Sequence, residues 1–395
     1  TVYAISYPSG AFTQSGAAGS FVGTAYTFST SPINNELWVW GNGYLGVLGV
    51  NINGQDYSSP VQIPGTNWVD ICQQNTNDTT FNMALRTDGA LFMWGDNQKG
   101  QLGQNNGVQY SSPIQVPGSW SKVSSGAYHA IGTKTDGTLW TWGYNGEGCL
   151  GNNQDADTEE DAYSSPVQIP GTDWTGDIGG GFKHSMAIKT NGTFWVWGRN
   201  TQGELGVNSK TQYSSPVQVP GTTWSKLSQS AWYGGSAIKT DGTLWQWGYN
   251  SNGQLGQGGT TEYSSPRQVP GTNWASIEQS QKGSIATKTD GTLWSWGYNG
   301  PGVLGQNNRT EYKSPVQIPG TNWDTGTNSI TMTRDTAAAI KTDGTLWTWG
   351  SNGDGALGTN QASPVKLSSP VQVPGTSWSQ VKGVLLNAMT AIKEL

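Results

Sequence analysis

A ten-residue string that recurs along most of the chain constrains its fold more than any other feature. It reads KTDGTLWTWG at residues 341–350, and near copies occupy 86–95, 134–143, 189–198, 239–248 and 288–297. A seventh copy, NELWVWG at 35–41, keeps only the second half. Neighbouring Trp-Gly pairs are 48 to 55 residues apart. A period of this length is typical of proteins that build one structural unit many times, such as propellers and solenoids.

Each unit carries the local signals of β-strands. An Asp-Gly or Asn-Gly pair between two apolar runs is the strongest short signal for a β-hairpin, and six units contain one. If the loop of the last hairpin has two residues, Ile340 faces Trp347 and small Ala338 lies opposite Trp349. The Ser-Pro-Val-Gln-Val-Pro segment, as at 215–220, suits an outer strand that needs few ladder hydrogen bonds. The sequence therefore predicts four strands per unit, which together make one blade.

The placement of the tryptophans indicates one packing arrangement that is used repeatedly. Twenty of the 21 tryptophans occupy three repeat positions, and only Trp232 falls outside them. Two of these positions form the Trp-x-Trp pair before each Gly, and the third ends a Pro-Gly-Thr-x-Trp motif, as at Trp224. Because each aromatic side chain buries about 150–250 Å², we expect these indoles to form the core between blades. The alternative role is stacking on sugars, as in a glycan-binding propeller.

The two ends of the chain supply the parts of the seventh unit. Residues 389–395 match the segment that precedes Thr-Asp-Gly elsewhere, but no turn follows them. The partner strand, residues 37–41, lies near the other end of the chain. We therefore predict that C-terminal and N-terminal strands pair in one composite blade. This pairing closes a ring of seven blades and removes the free sheet edges.

Further motifs are shared between the units. The run WGYNSNGQLG fills 247–256, Thr-Asp-Gly precedes it, and Gly-x-x-His occurs at 126–129 and 181–184. In these motifs the chain resembles the regulator of chromosome condensation family of seven-bladed β-propellers over residues 33–395. The resemblance implies an all-β fold with four-stranded blades. Such propellers serve as exchange factors, ligase modules and inhibitors, so the fold alone does not assign an activity.

Composition excludes several classes of protein. Only 12% of the 395 residues are charged, and no run of eighteen apolar residues occurs, so no membrane-spanning helix is predicted. The net charge of −6 argues against nucleic acid as a partner, because binding to phosphates requires clustered Lys and Arg. Cys72 and Cys149 occupy non-equivalent repeat positions, which favours two free thiols over a disulfide.

Basic residues at one repeat position form a candidate partner-binding site. They are Arg86, Lys134, Lys189, Lys239, Lys288, Lys341 and Lys393. Placed on a ring, they would surround the axis and attract an anion or an acidic protein surface. The structural interpretation, which the pattern favours, lays each side chain over a Trp or Leu with its charged end in water.

The other titratable motifs predict no chemistry. The two histidines, His129 and His184, occupy the same slot of adjacent units, and we expect them to bond within or between blades rather than to act as acid and base. An acidic run places Asp155, Asp157 and Glu159 in alternation, which suits Ca²⁺, but the glycine and spacing of a calcium loop are absent. We therefore expect a solvated loop there, and neither a metal nor a cofactor.

Residues 1–32 match no repeat and form a segment distinct from the propeller at 33–395. The segment is uncharged and carries Tyr3, Tyr7 and Phe12 among its aromatic residues. Exposure of so many aromatic rings to water is unfavourable, so we expect the segment to pack against a protein surface. It serves either as an arm on another subunit or as a cap across the propeller.

No nucleophile–base pair, metal cluster or phosphate loop is evident, so the sequence predicts a non-enzymatic binding or assembly module. Its charge-poor composition and near-identical repeats resemble those of propellers in phage and bacterial surface proteins. The main hypothesis is therefore a component of an extracellular or virion surface, which contacts a protein partner or further copies of itself through residues 1–32 and the propeller loops. The alternatives are a cytoplasmic exchange or regulatory factor for a small GTPase, and a glycan-binding propeller.

Overall fold

Seven sheets of mainly antiparallel strands stand around a common axis in the computed structural model, which describes residues 34–75, 80–154, 162–174, 176–361, 365–383 and 388–395. The predicted seven-bladed β-propeller is thereby confirmed. Two single-turn 3₁₀ segments, Tyr44–Gly46 and Gly353–Gly355, lie in equivalent loops. Among the described residues, no helix has the length and apolar character that a membrane span requires.

The strands nearest the axis belong to two concentric sets. The innermost strands are β3 (Trp68–Asn75), β7 (Trp120–Ser125), β11 (Ile178–Gly181), β15 (Trp224–Leu227) with β16 (Ser230–Ala231), β20 (Trp274–Gln279), β24 (Ile330–Met332) and β28 (Trp378–Gly383). The second strands are β4 (Thr80–Arg86), β8 (His129–Lys134), β12 (His184–Ile188), β17 (Gly234–Lys239), β21 (Gly283–Lys288), β25 (Thr336–Ile340) and β29 (Ala388–Lys393).

The outer half of each blade contains the Trp-x-Trp strand and the proline-containing strand. The third strands are β1 (Glu36–Gly41), β5 (Leu91–Gly95), β9 (Leu139–Tyr144), β13 (Phe194–Gly198), β18 (Leu244–Gly248), β22 (Leu293–Gly297) and β26 (Leu346–Ser351). The outermost strands are β2 (Tyr57–Ile63), β6 (Tyr110–Val116), β10 (Ala162–Ile169), β14 (Tyr213–Val219), β19 (Tyr263–Gln268), β23 (Tyr312–Ile318) and β27 (Lys366–Gln372).

Strands from both ends of the chain form one blade. Its sheet has the order β2-β1-β29-β28. The N-terminal β1 pairs antiparallel with the C-terminal β29, so that Leu37 lies opposite Ile392 and Trp38 opposite Ala391. The predicted composite blade is therefore confirmed. Its two outer strands come from the start of the propeller and its two inner strands from the end.

The predicted register of the hairpins is wrong by one residue. In the last hairpin Ile340 lies opposite Leu346 rather than Trp347, and Ala337 rather than Ala338 lies opposite Trp349. The large-against-small pairing is kept because Ala337 is as small as its neighbour.

The length of the turn explains this displacement. Lys341 N donates to Thr345 O at 2.9 Å, so three residues rather than two form the loop. A two-residue type I′ turn needs positive φ at both central residues, but in this turn only Gly344 has positive φ, at 76°. The Asp343 carboxylate instead accepts hydrogen bonds from the backbone N–H and the hydroxyl of Thr345. The carboxylate thus fixes a longer turn.

The second Trp of each pair fastens its blade to the preceding one. All seven of these indoles are fully buried, and each donates its Nε1–H to a carbonyl oxygen of the preceding blade at 2.7–3.0 Å. The pairs are Trp40–Ala356, Trp94–Val47, Trp142–Gln101, Trp197–Cys149, Trp247–Glu204, Trp296–Gln254 and Trp349–Val303. The predicted core of indoles is therefore confirmed for the second Trp of each pair and for the third Trp position, whereas the first Trp of each pair is half-buried.

One blade receives a fifth strand. The two-residue β16 pairs in parallel with β11 of the neighbouring blade, with Gly180 opposite Ser230. Strand β11 reads Ile-Gly-Gly-Gly. A Cβ on Gly180 would lie 2.4 Å from Ser125 O, and one on Gly181 would lie 2.3 Å from Ala231 O. The glycines therefore allow the inner strands of three consecutive blades to approach closely. The prediction of four strands per blade did not include this fifth strand.

Candidate functional site

The two faces of the ring differ in how much they vary from blade to blade. Consecutive strands run in opposite directions, so the Lys-Thr-Asp-Gly turns and the Pro-Gly-Thr loops share one face, here called the turn face. The opposite face, here called the loop face, carries the connections from first to second strand and the long connections from third to fourth strand. Residues on the turn face are nearly the same in every blade, whereas the connections on the loop face combine a shared motif, as at 248–256, with residues that differ between blades. The loop face therefore gives this propeller its individual chemistry.

The lysines predicted to form a ring lie on the turn face between indoles. The Nζ atoms of Lys134, Lys189, Lys239, Lys288 and Lys341 each lie 3.8–5.2 Å from the centres of two Trp rings. Lys393 contacts the Trp38 ring, and Arg86 forms an ion pair with Asp88. This geometry agrees with the structural interpretation. Partner binding by these lysines stays a prediction.

Both histidines lie fully buried in the ring. His129 contacts Ser185 of the next blade, with 2.8 Å between Nε2 and Oγ. The Ser185 hydroxyl donates its proton to Cys149 O, so His129 donates to Ser185. Burial lowers the pKa of both imidazoles to about 3. A general base needs a pKa near the working pH, so neither histidine suits that role, and His129 instead joins two blades.

The buried histidines predict a loss of stability in acid. Because their pKa is lower in the folded state than in the unfolded state, the unfolded chain binds more protons between about pH 6.5 and pH 3. Their contribution is fully present above about pH 6.5 and falls as the pH falls. The test variant is His129→Gln, whose amide can still reach Ser185. Both chains should lose unfolding free energy when the pH is lowered from about 7.5 to about 5. We expect the loss to be about 2 kcal/mol smaller for the variant than for the unchanged chain. Urea unfolding at the two pH values measures this, and equal losses would contradict it.

Charged side chains fill the central channel, which the sequence reasoning missed. Lys122 Nζ lies 2.8 Å from Asp177 Oδ1, and the buried pair Lys382 and Glu278 forms an ion pair. A cavity of about 40 Å³ beside Asp177 and Glu278 has room for about one water molecule. Among the described residues, ion pairs therefore connect the inner edges of different blades. The sequence contained a signal for these residues, because they are charged and lie in or next to the innermost strands, two to four positions after the third Trp of their units.

Asp70 completes this polar centre. Its Oδ1 accepts a hydrogen bond from Asn328 Nδ2 at 2.8 Å. Burial raises the pKa of Asp70 to about 6, although Lys382 and Asn328 oppose the shift. The nearby Cys72 thiol lies 3.1 Å from Ser125 Oγ, and burial raises its pKa to about 11. Cys72 and Cys149 are both buried, free thiols, and neither is activated as a nucleophile.

The loop face carries a continuous group of aromatic side chains, here called the aromatic ridge. It consists of Tyr128, Tyr144, Phe182, Trp232, Tyr233 and Tyr249, with ring centres 5.1–6.1 Å apart along the group. Phe182 stacks on Trp232, whereas most other contacts are edge-to-face. Four members, Tyr128, Phe182, Tyr233 and Tyr249, are only half-buried. The ridge therefore presents aromatic surface over three neighbouring blades.

Backbone hydrogen bonds hold the ridge in place. Ala127 N donates to Gly181 O at 3.0 Å, and Phe182 N donates to Trp232 O at 2.9 Å. These bonds link the loops of consecutive blades directly above the glycine-rich strand β11. The sequence contained one signal for this site, since Trp232 is the tryptophan outside the repeat positions.

Cationic groups lie against the ridge. The Arg199 guanidinium lies 4.9 Å from the centre of the Tyr233 ring, and Lys183 Nζ lies 5.0 Å from that of Tyr144. Glu147 lies 3.4 Å from Lys183 and 3.5 Å from Arg199. Buried Glu204 also approaches Arg199, at 3.6 Å, and burial raises the pKa of its carboxyl group. The charges of Lys183 and Arg199 are thus balanced locally.

A cleft of about 310 Å³ lies at one end of the ridge, and we call it the interblade cleft. Its lining consists of Arg199, Gln202, Tyr233, Tyr249, Asn252, Gln281 and Lys282. These residues come from loops of three consecutive blades. Small-ligand pockets begin at about 300 Å³ and combine apolar walls with a few polar groups. Two rings, two cations and three amides can hold a negative charge next to a flat or apolar group.

Several predicted site residues cannot be placed on either face. Tyr3, Tyr7 and Phe12 lie outside the described residues, as do Asp155, Asp157 and Glu159. The part of the chain that the structure describes contains no group of three His, Cys, Asp or Glu side chains arranged to bind a metal ion.

Sequence comparison identifies six copies of one repeat. The profile described as "Regulator of chromosome condensation (RCC1) repeat" matches residues 88–132, 136–188, 191–231, 241–284, 290–324 and 343–384, which is more than half of the chain. A second profile of the same description matches 120–149 and 177–204. No curated protein sequence matches the chain.

Solved structures share the fold at low sequence identity. Human WBSCR16 is 20% identical, with a TM-score of 0.78 over 91% of this chain and 98% of its own. Prp20p from Saccharomyces cerevisiae, whose structure is described with its binding to Gsp1p and histones, is 17% identical, with a TM-score of 0.78 over 92% of this chain and 93% of its own. Yeast RCC1 (Prp20) bound to Kap60 is 17% identical, with a TM-score of 0.77 over 97% of each chain.

Proposed function

Because the chain belongs to the regulator of chromosome condensation (RCC1) repeat family, we propose that it is a non-enzymatic regulatory propeller that binds a protein partner through its loop face. The aromatic ridge is the observation that carries this proposal. Tyr, Trp and Arg are the residues most enriched at the energetic centres of protein interfaces, and Lys is depleted there. The ridge and Arg199 have this composition, whereas the turn face presents lysines whose charged ends lie over indoles.

The rigidity of the ridge supports the same proposal. The backbone bonds Ala127–Gly181 and Phe182–Trp232 fix the loops before a partner arrives. Association therefore costs less conformational entropy than it would with free loops.

Comparison with solved propellers supports a protein as the partner. Prp20p is described with Gsp1p and histones, and yeast RCC1 is described with Kap60. The finer proposal for this chain is regulation of a small GTPase, since exchange factors belong to the same family. The predicted extracellular or virion surface gains no support from the fold or the comparisons, and a cytoplasmic regulator fits them better. A glycan-binding role has no comparable support, because the second and third Trp of each unit form the core, and the half-buried first Trp, as at Trp245, packs against a lysine.

The test measures binding and nucleotide release together. The purified chain is titrated against histones and a panel of small GTPases, each loaded with a fluorescent GDP analogue. We expect saturable binding to a protein in this set and faster nucleotide release from one GTPase. The double variant Tyr128→Ala, Phe182→Ala should weaken binding about thirtyfold, which corresponds to ~2 kcal/mol for an interface centre.

The matched control places an aromatic deletion at the rim. Tyr57 lies on the outermost strand β2 of the composite blade, and the blade of β3 to β6 separates it from the ridge. Tyr57→Ala should leave the dissociation constant unchanged. Equal weakening by both variants would exclude the ridge as the docking site, and binding to a glycan array without any protein partner would contradict the proposal.

A further inference from the structure

We propose that the interblade cleft binds a carboxylate from an acidic segment of the partner, with Lys282 as its counter-ion. The Tyr233 and Tyr249 rings then pack against apolar atoms next to that carboxylate. This inference rests on the proposed function, and it adds the chemistry of the partner segment.

The charges around the cleft point to a single anionic group. Arg199 lies 3.5 Å from Glu147 and 3.6 Å from Glu204, so its charge is balanced before a ligand binds. Lys282 Nζ lies 4.8 Å from the centre of the Tyr298 ring and has no ion pair among the described residues. The cleft therefore offers one uncompensated positive charge.

Lys282 differs from the charged residues at the equivalent position of other blades in that it has no ion pair among the described residues. The residue directly before the second strand is charged in three of the described blades, as Lys183, Lys282 and Asp335. Lys183 is paired with Glu147, and Asp335 is paired with Arg334 at 2.7 Å. Within the described blades, Lys282 is the member of this set that lacks an ion pair. Its side chain is half-buried and lines the cleft, where partial desolvation strengthens its attraction for an anion.

The residues that line the cleft indicate which groups of the ligand lie next to the carboxylate. Tyr233 and Tyr249 meet edge-to-face with 6.1 Å between ring centres, and both rings are half-buried. Three side-chain amides, those of Gln202, Asn252 and Gln281, complete the lining. Amides donate to carboxylate and main-chain oxygens and accept from main-chain N–H groups. This combination suits a stretch of polypeptide that carries an acidic residue beside an apolar one.

The surroundings favour a peptide over a free small molecule or a nucleic acid. The cleft opens onto the aromatic ridge, which continues over three blades and far exceeds the length of a small ligand. A nucleic-acid backbone carries one charge per phosphate and needs a row of free cations, but Arg199 and Lys183 are already paired.

The test uses fluorescein-labelled peptides of defined charge on the intact chain. The probes are a hexapeptide of alternating Glu and Phe, matched peptides with Gln or Lys in place of Glu, and a single-stranded oligonucleotide with the same label. Fluorescence anisotropy gives the dissociation constants. We expect the Glu peptide to bind about tenfold more tightly than the Gln peptide, and Lys282→Gln to abolish this preference.

A matched variant on the turn face serves as the control. Lys341→Gln removes the same charge from a lysine that lies over the Trp323 and Trp347 rings, and it should keep the preference for the Glu peptide. The inference is overturned if no peptide binds, if Lys282→Gln keeps the preference, or if the oligonucleotide binds more tightly than the Glu peptide.

The two proposals fail in different ways. If a histone or GTPase binds with equal affinity to the unchanged chain and to Lys282→Gln, the cleft chemistry is wrong while the docking function stands. If the Glu peptide binds through Lys282 but no protein in the panel binds, the proposed function fails while the cleft assignment stands.

Discussion

Removal of residues 389–395 is expected to open the ring and to lower the free energy of unfolding by more than about 5 kcal/mol. The deletion takes away all of β29 except Ala388. Met389, Ala391 and Ile392 are buried, and each main-chain group of β29 lies between β1 and β28. Without it, β1 and β2 lose their attachment to the inner half of the blade. Losses above 4–5 kcal/mol are exceptional for a small change, so this result is diagnostic of a closed ring.

A shorter deletion serves as the control, because it removes terminal residues without removing the strand that closes the ring. Glu394 and Leu395 are exposed, although Glu394 N donates one hydrogen bond to Ser377 O. Removing these two residues should cost about 1 kcal/mol. Calorimetry of both truncated chains supplies the comparison. A chain ending at Ala388 that melts like the unchanged chain would mean that the composite blade does not hold the ring together.

The second large effect is expected for Trp247→Ala, which should cost about 3–5 kcal/mol. The Trp247 ring is fully buried, contacts Trp224 edge-to-face with 6.3 Å between ring centres, and packs between two blades. Its Nε1–H donates to Glu204 O of the preceding blade at 2.8 Å. The substitution leaves both a cavity and a buried carbonyl without its donor. Trp247→Phe should cost less, because most of the ring volume is kept.

Trp245 provides the matched control on the same strand. Its ring is half-exposed, and its Nε1–H donates within the turn to Thr243 Oγ1 at 2.9 Å. Trp245→Ala should cost about 1 kcal/mol, since less apolar surface leaves the core. Chemical denaturation of the three variants measures the ranking. A loss of partner binding by Trp247→Ala at unchanged stability would assign that indole to a binding site instead.

Repetition made the fold predictable. The spacing of the Trp-Gly pairs, the turn residues and the half-units at 35–41 and 389–395 indicate both the blade number and the composite blade. The register of the turns was not predictable in the same way. An Asp-Gly pair fits two loop lengths, and the competing hydrogen bonds from Thr345 to Asp343 select the longer one.

The candidate site could be predicted only in part, because it depends on departures from the repeat. Trp232 is visible in the sequence as an extra aromatic residue, but its contact with Phe182 is set by the ring order of the blades. The missing ion pair of Lys282 depends on side-chain distances between blades, for which one sequence contains no signal. The paired charges of the channel, such as Lys382 and Glu278, are 104 residues apart in the chain.

The composite blade also affects the order of events during synthesis. The ribosome makes β1 and β2 first, yet their partners β28 and β29 emerge only when the rest of the propeller exists. During that interval the inner edge of β1 has unsatisfied main-chain hydrogen-bonding groups. A finished copy that has not yet closed its own ring can offer the missing strands, which would produce an exchanged dimer in place of a monomeric ring. A nascent chain is therefore most exposed to misassembly just before residues 378–393 are made, and protection by a chaperone matters most at that stage.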